Sequence, residues 1–328
     1  MLQNKEQLLN AKNLLAFSAG VDSTALLFLL LENKITFDIA IVNYGVRLQS
    51  QDEVAYAQEL AKKYDFQCHL LNTSKITKNF ESNARTIRYN FFEELISTQE
   101  YTNLLTAHHL GDRFEWMLMQ FCKGAGCAEL SGMKPIDKRQ GYSLIRPLLH
   151  LDKQELLEYL NANKIKYFED QSNSDEKYKR NEFRHNYSQP LLNKYLSGIK
   201  KSFEYIDKDV GFLIEETEVQ TINELAYFKA SQNKRSNIFA LDKYLKTKGH
   251  IITAKERELL ENQSAVILGR KFIVSKMSSY ILVAPYITTL AMNKKFKEKM
   301  RLLKIDPKIR GYLSTDSEAV ELLSLLLV

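Results

Sequence analysis

Cysteine is scarce in this chain. Cys68, Cys122 and Cys127 form an odd set with no CxxC pair. A disulfide scaffold and a four-thiolate zinc site are therefore not expected. Proline and glycine are also scarce, at 5 and 12 in 328 residues, which excludes collagen-like and low-complexity chains. No apolar run approaches the roughly 18 residues of a membrane span. The opening segment MLQNKEQLLN lacks the basic-then-apolar layout of a signal peptide. No Gly-Lys-Ser/Thr closes a Walker loop, and no GxGxxG occurs. A cytoplasmic protein with no membrane partner is the expectation.

What is present can fold. The chain is 45% hydrophobic, with 17 Phe and 17 Tyr that demand burial. Its length suits two domains. The net charge is +6, unevenly spread. Residues 1–187 hold 23 Lys and Arg against 24 Asp and Glu, a balance of −1. Residues 229–310 hold 19 against 6, a balance of +13. That asymmetry points to a polyanion partner for the C-terminal part, set against the plainer reading of a solubilising surface.

The first 110 residues alternate strand and helix signals. Strands are expected at Asn13–Phe17, Asp38–Asn43, Gln67–Leu71 and Asn103–Ala107. Helices are expected at Val21–Glu32, Gln51–Tyr64, Asn83–Thr98 and from Arg113. The rhythm predicts an α/β fold, a doubly wound parallel sheet with ligands at the C-terminal strand ends. Asp152–Asn163 reads as a helix capped by its Asp. Helix is expected from about Tyr187 to Tyr227 as a connector. Beyond it lies a smaller basic α+β domain, with helices near Leu241–Leu245 and Ala254–Asn262. Its strands are expected at Ala265–Val274 and Ser279–Ala284, and a basic helix at Lys294–Lys304. The expected domains are 1–186, the connector 187–227, and 228–328.

The segment Ser18-Ala19-Gly20-Val21-Asp22-Ser23-Thr24 joins the first strand to the first helix. Small residues there let backbone N–H groups meet a phosphate at a helix N-terminus. Asp22 would repel a bare phosphate, so it makes sense with magnesium. An ordinary capped turn explains the same residues. After the fourth strand comes Thr106-Ala107-His108-His109-Leu110-Gly111-Asp112-Arg113-Phe114-Glu115. Asp112 and Glu115, three apart at a helix start, share a face. They could hold Mg²⁺ or a substrate ammonium, or accept a proton. The two histidines could contact phosphate or cap the elements. A zinc site from His108, His109 and Asp112 is weaker, because adjacent side chains at a strand end diverge. Arg85 and Arg88, Lys123-Gly124-Ala125-Gly126, and Arg180-Asn181-Glu182-Phe183-Arg184-His185 suit phosphates or serve as solvated faces.

The loop SAGVDS resembles the SGGxDS loop of the PP-loop ATP pyrophosphatases. NYGVR, NARTIRY, TAHHLGDRFEWMLMQFCKGAG, ELSGM, IRPLL and EDQSNSDEKYKRNEFRH follow in order. Over about residues 13–192 the chain resembles the tRNA(Ile)-lysidine synthetase family. The resemblance implies ATP and Mg²⁺ as cofactors, and L-lysine and a CAU-anticodon tRNA(Ile) as substrates. The implied product is lysidine, made through an adenylated cytidine. It implies catalytic roles for Asp22, Asp112 and Glu115, with Asp22 and Asp112 as metal ligands. ATP contacts would come from Ser18, Ala19, Gly20, Val21, Asp22, Ser23, Arg85, Arg88 and His109. Contacts with tRNA would come from Arg180, Asn181, Arg184, His185, Lys294, Lys295 and Lys297. A homodimer is compatible with this reading. Ala19 replaces a family glycine, which is tolerable only where positive φ is not needed. Tyr44, Gly111, Trp116 and Ala125 also depart from the family pattern. The alternatives are a tRNA thiolase of the same superfamily, disfavoured by the missing CxxC, and a non-catalytic RNA-binding module.

Overall fold

A computed structural model describes residues 1–45, 49–73, 76, 79–169, 179–277, 279–288 and 291–326. Val46 and Arg47 of NYGVR, and 170–178 of the Asp-x-Ser-Asn segment, lie outside the described residues. The chain divides into two compact units, 1–207 and 208–328. Among the described residues, no helix is long and apolar enough to cross a membrane.

The first unit opens with a short helix, α1 (Lys5–Leu8), then β1 (Asn13–Ala16), α2 (Val21–Glu32), β2 (Phe37–Asn43) and α3 (Ser50–Tyr64). It continues with β3 (Cys68–Asn72), α4 (Phe80–Gln99), β4 (Asn103–Leu105), α5 (Leu110–Phe121) and α6 (Cys127–Ser131). A hairpin, β5 (Ile136–Arg139) and β6 (Tyr142–Ile145), precedes α7 (Lys153–Ala162) and α8 (Lys179–Phe183). A π-helical turn at Arg184–Ser188 leads into α9 (Gln189–Leu213). The strand order is β3-β2-β1-β4-β6-β5. All neighbours are parallel except the β5–β6 pair.

Alternation along the strands builds both faces. Leu14, Ala40, Leu104 and Leu144 point to the layer of α4, where Phe92 and Ile96 cover them. Their neighbours Leu15, Ile39, Leu105 and Ile145 point to the other layer, made by α2, α3 and α7. Register keeps these sets aligned, with Leu14 opposite Leu104 and Leu104 opposite Leu144. Helix α2 is apolar on most sides because it is buried on most sides. The doubly wound parallel sheet is therefore present. The β5–β6 hairpin was not expected. Its edge strand carries Asp137, Lys138 and Arg139, charges that suit an exposed sheet edge and hide the strand signal.

The second unit contains β7 (Gln220–Ile222), β8 (Leu225–Lys229), α10 (Lys234–Thr247), α11 (Ala254–Asn262), β9 (Ala265–Leu268), β10 (Phe272–Lys276) and β11 (Tyr280–Pro285). Three further helices follow: α12 (Lys294–Leu302), α13 (Arg310–Leu313) and α14 (Ser317–Leu326). Its sheet, ordered β7-β8-β11-β10-β9, is antiparallel throughout. Leu241, Leu245 and Leu260 pack on one face, and Met300, Ile309 and Leu323 on the other.

Two expectations need correction. The connector helix ends at Leu213, and 220–229 form the β7–β8 hairpin. Asn223, with φ 49°, makes its turn, and Thr221, Ile222, Tyr227 and Phe228 favour extended backbone. The expected strand Ala265–Val274 is two strands, folded at Gly269 and Arg270 with φ of 53° and 56°. Left-handed backbone at both residues tightens the turn, which Lys271 N–H closes on the Leu268 carbonyl at 2.9 Å.

Candidate active site

The loop after β1 and the start of α5, which follows β4, meet at the C-terminal edge of the sheet, since β1 and β4 are neighbours. Gly20 caps α2 with extended backbone. The Ser23 hydroxyl accepts from the Ser18 N–H at 3.2 Å and lies 3.1 Å from the Ser18 hydroxyl. These bonds curl the loop over the N-terminus of α2. Val21 is buried beneath it. Ala19 corrects an expectation: its φ is 57°, in the left-handed region, so an L-residue stands there at a cost of about 1–2 kcal/mol. Its surroundings hold it. Its carbonyl accepts from Phe168 N–H at 2.9 Å, and its methyl is fully buried.

His109 caps α5. Gly111 N–H donates to its Nδ1 at 3.0 Å, so the ring proton sits on Nε2. That donor faces Asp22 Oδ2 at 3.9 Å and Asp112 Oδ2 at 3.6 Å. Gly111 permits this pose: a Cβ there would stand 2.7 Å from His109 Cε1. Any side chain at this position would collide with the folded-back ring. Burial raises the Asp22 carboxyl above its usual range, and Asp112 adds to the rise, against the pull of His109 and Lys153. Asp22 Oδ1 is buried with no hydrogen-bond partner. Burial also pushes Asp112 up, but His109, His108 and Arg180 outweigh it and hold its carboxyl well below the usual range. His108 turns away, Nδ1 to Thr106 Oγ1 at 2.9 Å, and burial lowers it to about 4. The expected divergence of the two histidines holds. Among the described residues, no group of three His, Cys, Asp or Glu could hold a metal, so the weaker zinc alternative finds no support.

Arg180 and Arg184 are one helical turn apart, on α8 and the π turn, and both face α5. Arg180 Nη2 donates to Asp112 Oδ1 at 2.9 Å, and its Nε donates to Glu115 Oε1. Arg184 Nε donates to Glu115 Oε2 at 3.0 Å. These side chains were expected to meet phosphates or to form a solvated face. They turn toward α5, because the Glu115 side chain is 2% exposed and a carboxyl group so buried needs hydrogen-bond partners. Asn181 is half-buried and His185 exposed on the same segment. Arg85 and Arg88 lie exposed on α4, Arg85 over the Tyr89 ring at 4.7 Å. Lys294, Lys295 and Lys297 are exposed on α12 of the second unit.

Two residues escaped the sequence reading. Arg113 is 4% exposed and donates to Ser131 O at 2.9 Å, pairs with Asp207 and lies over the Phe203 ring. It ties α5 to α6 and α9. Lys153, half-buried at the first position of α7, acts electrostatically on Asp22. A cation there opposes the helix dipole, which was the available signal.

The cluster fits a magnesium ion in one respect. Asp22 keeps a free buried oxygen, while both oxygens of Asp112 already accept hydrogen bonds. Magnesium takes one or two carboxylates and completes its shell with phosphates and water.

The profile of the PP-loop domain family matches residues 2–191. The tRNA(Ile)-lysidine synthase of Wolinella succinogenes is 42% identical over 312 residues, covering 95% of this chain and 95% of its own. That of Helicobacter pylori is 41% identical, covering 94% and 91%. A U34-tRNA thiolase from Methanococcus maripaludis, solved with its [4Fe-4S] cluster, superposes with a TM-score of 0.51 at 20% identity, over 66% of this chain and 78% of that one. The last likeness is one of fold.

Proposed function

The chain belongs to the PP-loop domain family and, within it, to the tRNA(Ile)-lysidine synthases, which are ligases, and from that premise we propose the reaction it performs. The ε-amine of lysine is joined to C2 of the wobble cytidine in a CAU-anticodon tRNA(Ile). The cytosine C2 oxygen first attacks the α-phosphorus of ATP, and pyrophosphate leaves. The lysine nitrogen then attacks C2, and AMP leaves with that oxygen.

The observation that carries this reading is the joining of the Ser18–Ser23 loop to the Asp112–Glu115 pair through His109. The loop's N–H groups, its hydroxyls and the α2 dipole suit a pyrophosphate. Magnesium, when bound, offsets negative charge as pyrophosphate departs. Asp22 would hold it, because its Oδ1 has no hydrogen-bond partner. His109 orients Asp22 and Asp112 by presenting Nε2–H between them. Arg88 on α4 and Lys153 on α7 supply positive charge for the nucleotide phosphates.

Asp112 and Glu115 receive the lysine ammonium. Asp112, with its lowered carboxyl, is a poor proton acceptor and serves to hold the charge. Glu115 is the carboxylate that takes the amine's proton. Arg180 and Arg184 hold both acids in place. The C-terminal unit, with Lys294, Lys295 and Lys297, grips the tRNA backbone.

ATP–pyrophosphate exchange, measured with and without tRNA, tests this order. Exchange should require tRNA and no lysine, since cytidine is adenylated first. Exchange driven by lysine alone would mean that the amino acid is activated instead.

A further inference from the structure

The IRPLL segment has no role in the reaction above. Its Arg146 follows β6 at the same edge of the sheet as the nucleotide loop. Strand β4 lies between β6 and β1, so Arg146 and the loop are two strand spacings apart, about 10 Å. Arg146 is 8% exposed. Its Nη1 donates to the Lys134 carbonyl at 2.7 Å, its Nε is buried with no hydrogen-bond partner, and no carboxylate pairs with it among the described residues. A buried cation without an acid is destabilising until an anion arrives.

Its neighbours add positive charge. Arg85 and Arg139 lie over the ring of Tyr89, at 4.7 and 5.3 Å from its centroid. Arg85 has no ion pair among the described residues, and Asp137, the nearby acid, is shared with Arg139 at 3.7 Å. Burial lowers the Arg146 guanidinium below its usual range, with Tyr89 and Asp137 opposing and Arg139 and Arg85 adding to the fall. His108 lies within electrostatic reach of Asp112 and of Arg146, Arg180 and Arg85.

We propose that Arg146, with Arg85 and the Tyr89 ring beside it, is an anion site that takes a phosphodiester of the RNA next to the target cytidine. The inference rests on the RNA-modifying reading. Three features choose a phosphodiester over the carboxylate of lysine. The amine site already has Arg180 and Arg184 at hand for a carboxylate. Arg146 stands about 10 Å along the same sheet edge from the loop where ATP would sit. A guanidinium stacked on tyrosine also extends a surface on which a base can lie, a common way of holding unpaired RNA.

The test is filter binding of a hairpin RNA with a CAU loop, across a salt series, with ATP and lysine KM measured in parallel. Arg146→Met keeps the volume and removes the unpaired cation, so thermal stability should hold. Its RNA affinity should fall about tenfold, and the salt slope should shrink by about 0.7, one phosphate's share. Arg146→Lys, which keeps the charge and serves if the first variant folds poorly, should recover the slope but not the full affinity. Both KM values should stay unchanged. Unaltered RNA binding in both variants overturns the proposal. So does a raised lysine KM or ATP KM with RNA binding intact, which would give the anion to lysine or to ATP. Wild-type protein that binds no RNA would overturn the proposed function itself, and this site with it.

Discussion

Replacing Glu115 by Gln should separate the two half-reactions. The carboxylate is 2% exposed and accepts from Arg180 Nε and from Arg184 Nε at 3.0 Å. Gln keeps the shape but turns an NH₂ toward one guanidinium. Removing one partner of a fully buried pair costs about 3–5 kcal/mol. The arginine side chains are 40% and 26% exposed, so water recovers part of that loss. About 2 kcal/mol remains. For a unit of 207 residues the melting temperature should fall by about 5 °C. Removing Arg184 as well should return part of the loss, since two absent partners cost less than one stranded cation.

The kinetic effect should be larger on one step. A charge-assisted bond to the lysine amine is worth about 1.5–3 kcal/mol, or roughly 10- to 100-fold in kcat/KM for lysine. Formation of adenylated tRNA should stay within about threefold of wild type. Radiolabelled ATP, followed by gel separation of adenylated from lysine-bearing tRNA, measures both steps in one reaction. Equal loss in the two steps would refute the assignment and move Glu115 to the nucleotide site. An unchanged lysine step would refute it outright.

Asp22→Ala should reduce pyrophosphate exchange at least 100-fold, the scale of losing one preorganised group, while the melting temperature holds or rises because an unpartnered buried oxygen is removed. Circular-dichroism melts beside the exchange assay check both, and wild-type exchange would refute the phosphate-loop role. His108, lowered to about 4 by burial, binds its proton more weakly folded than unfolded, so it withdraws stability as pH falls from about 6.5 towards 4, by about 2 kcal/mol at pH 5. Denaturant titrations at pH 7 and pH 5 should show that loss in wild type and a smaller one in His108→Gln; equal losses refute it. Neutralising Lys294, Lys295 and Lys297 should weaken tRNA binding and lower its salt slope by about 2, with ATP binding unchanged. Identical titrations for wild type and variant would leave α12 a solvated face.

Much of the fold was legible because parallel strands buried on both faces read as short apolar runs. NLLA and FDIAIVN announce themselves, and α3 carries a one-sided pattern. The β5–β6 edge was not legible, because a charged strand gains its place from a single neighbour. Residues 265–274 read as one strand, although Gly269-Arg270-Lys271 interrupts the apolar run and marks the turn. Only left-handed backbone at Gly269 and Arg270 folds it back. In the site, Asp22, His109, Asp112 and Glu115 were found from position alone, since loops after adjacent parallel strands must share an edge. The inward turn of Arg180 and Arg184 was hidden, because it depends on how deeply Glu115 is buried, which sequence spacing does not carry. Arg113 was hidden for the same reason: its partner Asp207 is 94 residues away.

The proposed reaction joins lysine to one cytidine of one tRNA. Labelled lysine, ATP and an unmodified tRNA(Ile) transcript with a CAU anticodon should give label in the tRNA, with one AMP and one pyrophosphate released for each lysine bound. A transcript differing only by uridine at the wobble position should take up none. Equal labelling of both transcripts, or none of either while ATP is still cleaved, would contradict it.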